Sequence, residues 1–195
     1  MSPRLGQTPS QTVGPYVSMA FPREGDNVLP IPDGGGERIV ITGVVFDGDR
    51  NHIEDAVIET WQANPLGRYN HPDDNREEIP LDPKFTGFAR AMTDFETGVY
   101  RIETVKPGRV PDLEGDFQAP HIAVVIQGRG MLNPVFTRLY FSDEEEANAD
   151  DLVLRQVPES RRHTLVAQLE PGSDPKTYRW DIRFQGEDET VFFDI

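Results

Sequence analysis

Glycine and proline, 17 of each among 195 residues, punctuate this chain too closely for long helices. Proline fixes φ and has no N–H to donate, and glycine costs entropy inside a regular element. Short β-rich runs remain between them. Arg38 to Phe46 is dense in β-branched residues and stops at Asp47-Gly48-Asp49, a turn sequence. Ala56 to Trp61 is a second run. Phe88 to Met92 and Gly98 to Val105 read as a pair joined by Thr93 to Thr97. His121 to Ile126 is nearly all apolar, which predicts a strand buried on both faces. Val135 to Phe141 follows it. Tyr178, Trp180, Ile182 and Phe184 alternate with Arg179, Asp181, Arg183 and Gln185. That strict period of two is the clearest strand signal in the chain. Val191 to Ile195 is read as a final short strand.

Ser142-Asp143-Glu144-Glu145 has the capping-box pattern of a serine with glutamate three residues on. It predicts a short helix ending near Leu154, with its acidic residues on the positive end of the helix dipole. A metal or partner site is the other use for such a run, and a solvated helix start is the simpler one. Residues 1 to 36 differ from the rest. They hold Pro9, Pro15, Pro22, Pro30 and Pro32, yet also Val13, Tyr16, Met19, Phe21, Val28, Leu29 and Ile31. Such a segment is extended, pairs poorly in a sheet, and is too apolar to stand in water, so it must lie on its own surface or a partner's. The expectation is an all-β sandwich of about eight or nine mostly antiparallel strands with one short helix over residues 37–195. Residues 1–36 form an extended arm that packs on a partner chain.

Composition narrows the function. Lys plus Arg number 19 against 34 Asp plus Glu, a formal charge of −15, which repels nucleic acid and anionic membranes. With no cysteine there is no disulfide, thiolate-held metal or thiol nucleophile, and a reducing compartment fits. No run of about 18 apolar residues exists to cross a bilayer. Met1 to Gln7 lacks an apolar secretory core. A soluble, acidic, cytoplasmic protein is expected.

The chemistry-bearing residues are few. The histidines are His52, His71, His121 and His163, with no H-E-x-x-H or H-x-H among them. There is no nucleophile elbow and no phosphate-binding loop. Tyr69 and His71 share a loop directly after the Trp61 strand. They suit a hard oxidised metal, as phenolate and imidazole, or else are a packed tyrosine and an exposed histidine. His121 opens an apolar strand whose position i+2 is Ala123, which cannot ligate; a hydrogen-bonded core histidine is the ordinary reading. Arg129 stands between Gly128 and Gly130 on a turn, suited to a planar carboxylate or simply solvated.

Several longer motifs then fall into a known order. Thr8 to Tyr16, Ile58 to Tyr69, Lys106-Pro107-Gly108, Pro120-His121-Ile122 and Thr137 to Phe141 together resemble the intradiol ring-cleaving dioxygenases, from Thr8 to the end of the chain. The resemblance implies a ferric site of two tyrosines and two histidines, with an arginine shortly before the histidines. Tyr69 matches the first tyrosine and His121 the first histidine. Val110 stands at the second tyrosine, Gln118 at the arginine and Ala123 at the second histidine. Valine and alanine carry no lone pair, so half of the ligand set is missing. The resemblance therefore implies the subunit without metal in a two-chain enzyme. No catalytic residue lies in such a chain, and Fe(III) is held by a homologous partner chain in a higher-order assembly. The substrate implied is 3,4-dihydroxybenzoate, cleaved with O2 to 3-carboxy-cis,cis-muconate. Thr12, Gly14, Pro15 and Tyr16 of the arm, with Arg129, are the residues implied to approach the partner's pocket. Two rivals remain: a stand-alone dioxygenase using Tyr69, His71 and His121, and a β-sandwich binding module without chemistry.

Overall fold

The structure, a computed structural model, describes residues 6, 8–12, 14–21, 23–112 and 115–194. Its strands are β1 (Arg38–Phe46), β2 (Val57–Trp61), β3 (Phe88–Met92), β4 (Val99–Val105), β5 (Val110–Pro111), β6 (Phe117–Gln118), β7 (His121–Gln127), β8 (Val135–Phe141), β9 (Val166–Leu169), β10 (Lys176–Arg179) and β11 (Ile182–Arg183). Nine of them form one sheet. Its order is β4-β1-β10-β9-β8-β7-β2-β3, with β11 continuing along β1 beyond β10. Most pairs are antiparallel; β1 with β10 and β11, and β8 with β9, are parallel. β3 and β4, read from the sequence as a joined pair, share no ladder: β3 pairs with β2 and β4 with β1, and the two, at opposite ends of this order, only come into contact. The sheet thus folds over its own apolar face, as a sandwich does. Ile39, Ile41, Tyr100, Ile102 and Tyr178 from one half pack with Ile58, Ala89, Ile122, Ile126 and Leu139 from the other. β5 and β6 pair separately as a small ribbon.

Several local expectations need correction. β7 is buried on one face and mostly half-buried on the other, although it lies inside the sheet between β2 and β8. The 178–185 alternation holds in burial but not as one strand. Tyr178, Trp180 and Ile182 all point into the core, yet the ladder breaks at Trp180-Asp181. There the Asp181 carboxylate accepts the Val44 N–H at 3.0 Å, and the Tyr100 hydroxyl donates to the Trp180 carbonyl at 2.7 Å. The register survives the break: Thr42 faces Arg179 and Val45 faces Ile182. Val191 onward gives only a bridge from Phe193 to Phe136; Ile195 lies outside the described residues.

The capping box does not form. The Ser142 hydroxyl instead accepts from the Leu169 N–H at 3.0 Å, and α2 (Glu145–Asp150) starts without a side-chain cap. The helical segment is also divided. Asp151 ends α2 and caps α3 (Leu152–Gln156), its Oδ1 accepting the Leu154 N–H at 2.8 Å. With α1 (Val17–Ala20) and α4 (Glu159–Arg162), the described residues hold four short helices where one was expected. α3 and the loops around it cover a second small core of Ala119, Tyr140, Leu154, Val157 and Leu165.

Part of the arm belongs to this core. Leu29 is buried in the main cluster. Its N–H donates to the Glu103 carbonyl, and Glu103 donates to Asn27, both at 2.8 Å, so residues 27–29 run along β4. Tyr16 and Met19 remain among the most exposed large apolar side chains, at 72% and 70%. Val13 and Pro22 lie outside the described residues.

Candidate functional site: a degenerate metal pocket and an arginine loop

The first group of candidate residues sits at the His121 end of β7. The loop after β2 is shaped by Asn64, whose Oδ1 accepts the N–H groups of Leu66 and Arg68, each at 3.0 Å. Gly67 adopts φ +81°, and a Cβ there would lie 1.9 Å from the Arg109 carbonyl oxygen, so only glycine fits. This turn delivers Tyr69 to the floor of an open recess of about 690 Å³, beside Trp61, His71, Asp74 and Pro111. The Tyr69 ring stacks on Trp61 with centroids 6.2 Å apart. Its N–H donates to Asp74 Oδ2 at 2.8 Å. A fork of hydrogen bonds from Arg76 holds the Asp74 carboxyl well below the usual range, at about 2.

Trp61 of β2 joins this recess to the sheet. His121 and Ala123 share a face of β7; Ala123 faces Trp61 on β2 and Arg138 on β8, and His121 faces Tyr140. The buried His121 ring places Nδ1 2.8 Å from the Ala119 carbonyl oxygen. Burial, and then the positive charge of Arg138, push its pKa down to about 4. The ring is neutral at pH 7, so Nδ1–H donates to that carbonyl. Burial raises the Tyr69 phenol, against the pull of Arg138 and Arg76. Burial also raises Tyr140, with Asp151 adding to it. The Tyr140 hydroxyl donates to Asp151 Oδ1 at 3.0 Å.

The donor set does not fit ferric iron. Val110 is buried in the β5–β6 ribbon opposite Gln118, and neither Val110 nor Ala123 carries a donor atom. Among the described residues, no group of three or more His, Asp or Glu could hold a metal ion. His71 does not join His121: its side chain is half exposed, and its Nδ1 accepts the Asp73 N–H at 3.2 Å. The set of Tyr69, His71 and His121 is therefore not assembled. His163 pairs with Asp188, 3.0 Å away, elsewhere on the surface.

Arg138 was not singled out from the sequence. Its Nη1 donates to Gln118 Oε1 at 2.7 Å, and its charge acts on Tyr69, His121 and Tyr140 alike. The available signal was a lone cation inside the apolar run Val135 to Phe141.

The second group lies past the other end of β7. At about 3.3 Å per residue, the eight residues from His121 to Arg129 can place them some 25 Å apart. Here the arm meets the loop: Thr12 Oγ1 accepts the Gly130 N–H at 2.9 Å, across 118 residues of sequence. Arg129 is neither a free turn arginine nor a buried one. Its Nε lies 3.2 Å from Asp55 Oδ2, while 54% of its side chain stays exposed and that of Asp55 is buried. Gly14 takes φ +73° and passes its carbonyl to the Val17 N–H, which turns the chain into α1 through Pro15 and exposed Tyr16.

A family model described as Dioxygenase matches residues 13–186. This chain belongs to the intradiol ring-cleaving dioxygenase family. It is 44% identical to the protocatechuate 3,4-dioxygenase alpha chain of Burkholderia cepacia, over 98% of each chain. It is 35% identical to the protocatechuate 3,4-dioxygenase beta chain of the same organism, covering 80% of this chain and 67% of that one. In fold it is similar to the dioxygenase domain of a dioxygenase–carbohydrate-binding fusion from Streptomyces sp. SirexAA-E. That match has a TM-score of 0.60 and 22% identity, over 91% of this chain and 97% of the other. The family is iron-dependent, and neither Val110 nor Ala123 carries a donor atom for a metal. No helix among the described residues is long and apolar enough to cross a membrane.

Proposed function

We propose that this chain is the α subunit of a protocatechuate 3,4-dioxygenase, the subunit without the metal. The enzyme performs O2-dependent intradiol cleavage of 3,4-dihydroxybenzoate to 3-carboxy-cis,cis-muconate. The observation that carries this reading is the 44% identity, over 98% of each chain, to a protocatechuate 3,4-dioxygenase alpha chain; aliphatic Val110 and Ala123, at positions that the family resemblance gives to metal donors, support it. Ferric iron belongs, on this reading, to a homologous β chain. This chain contributes pocket wall, substrate contact and assembly surface, in an αβ unit that repeats into a larger oligomer in the cytoplasm. The arm, residues 1–36, is the segment proposed to reach the β chain. Thr12, Gly14, Pro15, Tyr16 and Arg129 are proposed to face its substrate pocket. Thr12 and Arg129 already belong to one cluster through the Thr12–Gly130 hydrogen bond. The Arg129 guanidinium suits the substrate carboxylate, which it can approach from its exposed side.

Co-expression with the homologous chain tests the reading. A stable pair that contains iron and consumes O2 with 3,4-dihydroxybenzoate is expected, as is an inactive, iron-free chain when this subunit is purified alone. Catechol-dependent O2 uptake by the isolated chain would overturn it in favour of a stand-alone enzyme. Failure to associate with any iron-bearing homologue would leave a binding module.

A further inference from the structure

The missing donors do not account for the whole of the His121 pocket. If truncation at two positions were all that had happened, the space between Tyr69 and His121 would be left to water. It is approached instead by a cation on a rigid strand. Arg138 stands directly across from Ala123 in the β7–β8 register, and two residues from Tyr140 on the same face. Its Nη1 is held by Gln118 Oε1 at 2.7 Å, and Gln118 is itself fastened to the β5–β6 ribbon opposite Val110. Of the three positions at which the resemblance marks a departure from the family's site, Gln118 holds this guanidinium, Ala123 faces Arg138 across the ladder, and Val110 pairs with Gln118.

We infer that the Arg138 guanidinium takes over the place and the charge of the family's metal ion in this pocket, and so actively excludes cations from it. The physical reason is electrostatic. The two rings that remain of the ligand set, Tyr69 and His121, are neutral, and the Asp74 carboxylate beside Tyr69 is already paired with Arg76. A fixed positive group whose charge acts on Tyr69, His121 and Tyr140 repels a metal that approaches them. A guanidinium also supplies donors to surrounding oxygens, as it does to Gln118, and so replaces the metal's cross-linking of β-strands with hydrogen bonds. This inference rests on family membership and not on the proposed partner chain, so the two can fail separately.

The test restores the donors with and without the arginine, in the full chain. The V110Y/A123H variant carries all four donors and keeps Arg138. It is expected to retain little iron after aerobic exposure to Fe(II) and gel filtration. V110Y/A123H/R138Q is expected to bind about 10–100-fold more tightly, giving stoichiometric iron by metal analysis and the visible absorption band of tyrosinate bound to ferric iron. V110Y/A123H/R138K, which keeps the charge, should behave like the arginine form. Equal iron in the arginine and glutamine forms would overturn the inference, as would failure of the glutamine form to gain iron while folded by circular dichroism. Where the bulkier tyrosine prevents folding, A123H and A123H/R138Q serve instead, with Co(II) as the probe in equilibrium dialysis. Cobalt binding by the glutamine form alone supports the inference, and equal binding or none by both overturns it.

Discussion

Two side chains carry the contrast between the ends of β7. Arg129 is half exposed and tied at Nε to a buried aspartate, so its fork is pre-oriented toward solvent while Asp55 stays neutralised. If it meets the substrate carboxylate, Arg129→Ala in the assembled enzyme raises KM for 3,4-dihydroxybenzoate by about 10–100-fold and leaves catechol, which lacks the carboxylate, nearly unaffected. Steady-state oxygen uptake with both substrates checks this; equal loss for both assigns Arg129 to the fold. His121 gives a prediction about pH. Its folded pKa of about 4 lies below the unfolded value near 6.5, so between these values the unfolded chain binds more protons. Stability is fully present above about pH 6.5 and is lost as pH falls toward 4, by roughly 1–3 kcal/mol. Urea unfolding at pH 7 and pH 5 should show this loss, and His121→Gln should flatten it.

At the scale of elements, the strands were legible because their patterning is local: β1, β3 and β8 begin and end where the runs Arg38 to Phe46, Phe88 to Met92 and Val135 to Phe141 do. The helix start was not, because its cap depends on a competitor. Ser142 is drawn away by the Leu169 N–H from β9, and Asp151 takes the capping role. Asp151 is fully buried and accepts from Leu154 N–H, Ala119 N–H and the Tyr140 hydroxyl. Asp151→Ala leaves three buried donors without an acceptor and should cost about 3–5 kcal/mol, read from denaturant unfolding. The β10–β11 break has the same long-range origin. Gly43 on β1 lies so close to the Trp180 carbonyl that a Cβ would sit 1.9 Å from its oxygen. Gly43→Ala should therefore force the two strands apart at the Tyr100 hydroxyl's bond to Trp180, destabilising the fold by several kcal/mol, on the order of other core overpacking. Thermal unfolding would measure it.

For the molecule as a whole, the arm divides in two. Leu29 is built into the main core and strapped to β4, whereas Thr12 meets the Arg129 loop from outside and Tyr16 is exposed. Deleting residues 1–16 should leave the unfolding midpoint almost unchanged while weakening assembly with the homologous chain and raising KM. Deleting residues 1–36 removes a buried leucine and should cost about 2–5 kcal/mol in addition. Differential scanning calorimetry and gel filtration of the two truncations separate these outcomes. The amino-acid sequence by itself determined which chemistry is absent: no thiol anywhere, and no donor atom at Val110 or Ala123, because a side chain without a lone pair cannot ligate in any fold. It also determined the alternation that makes the sandwich. Only the tertiary structure decided which distant residues meet: Arg138 stands across from Ala123 through the pairing of β8 with β7, and Thr12 meets Gly130 across 118 residues. Such contacts depend on strand register and on the path of the arm over the core, which are set by packing between distant segments and not by local propensity.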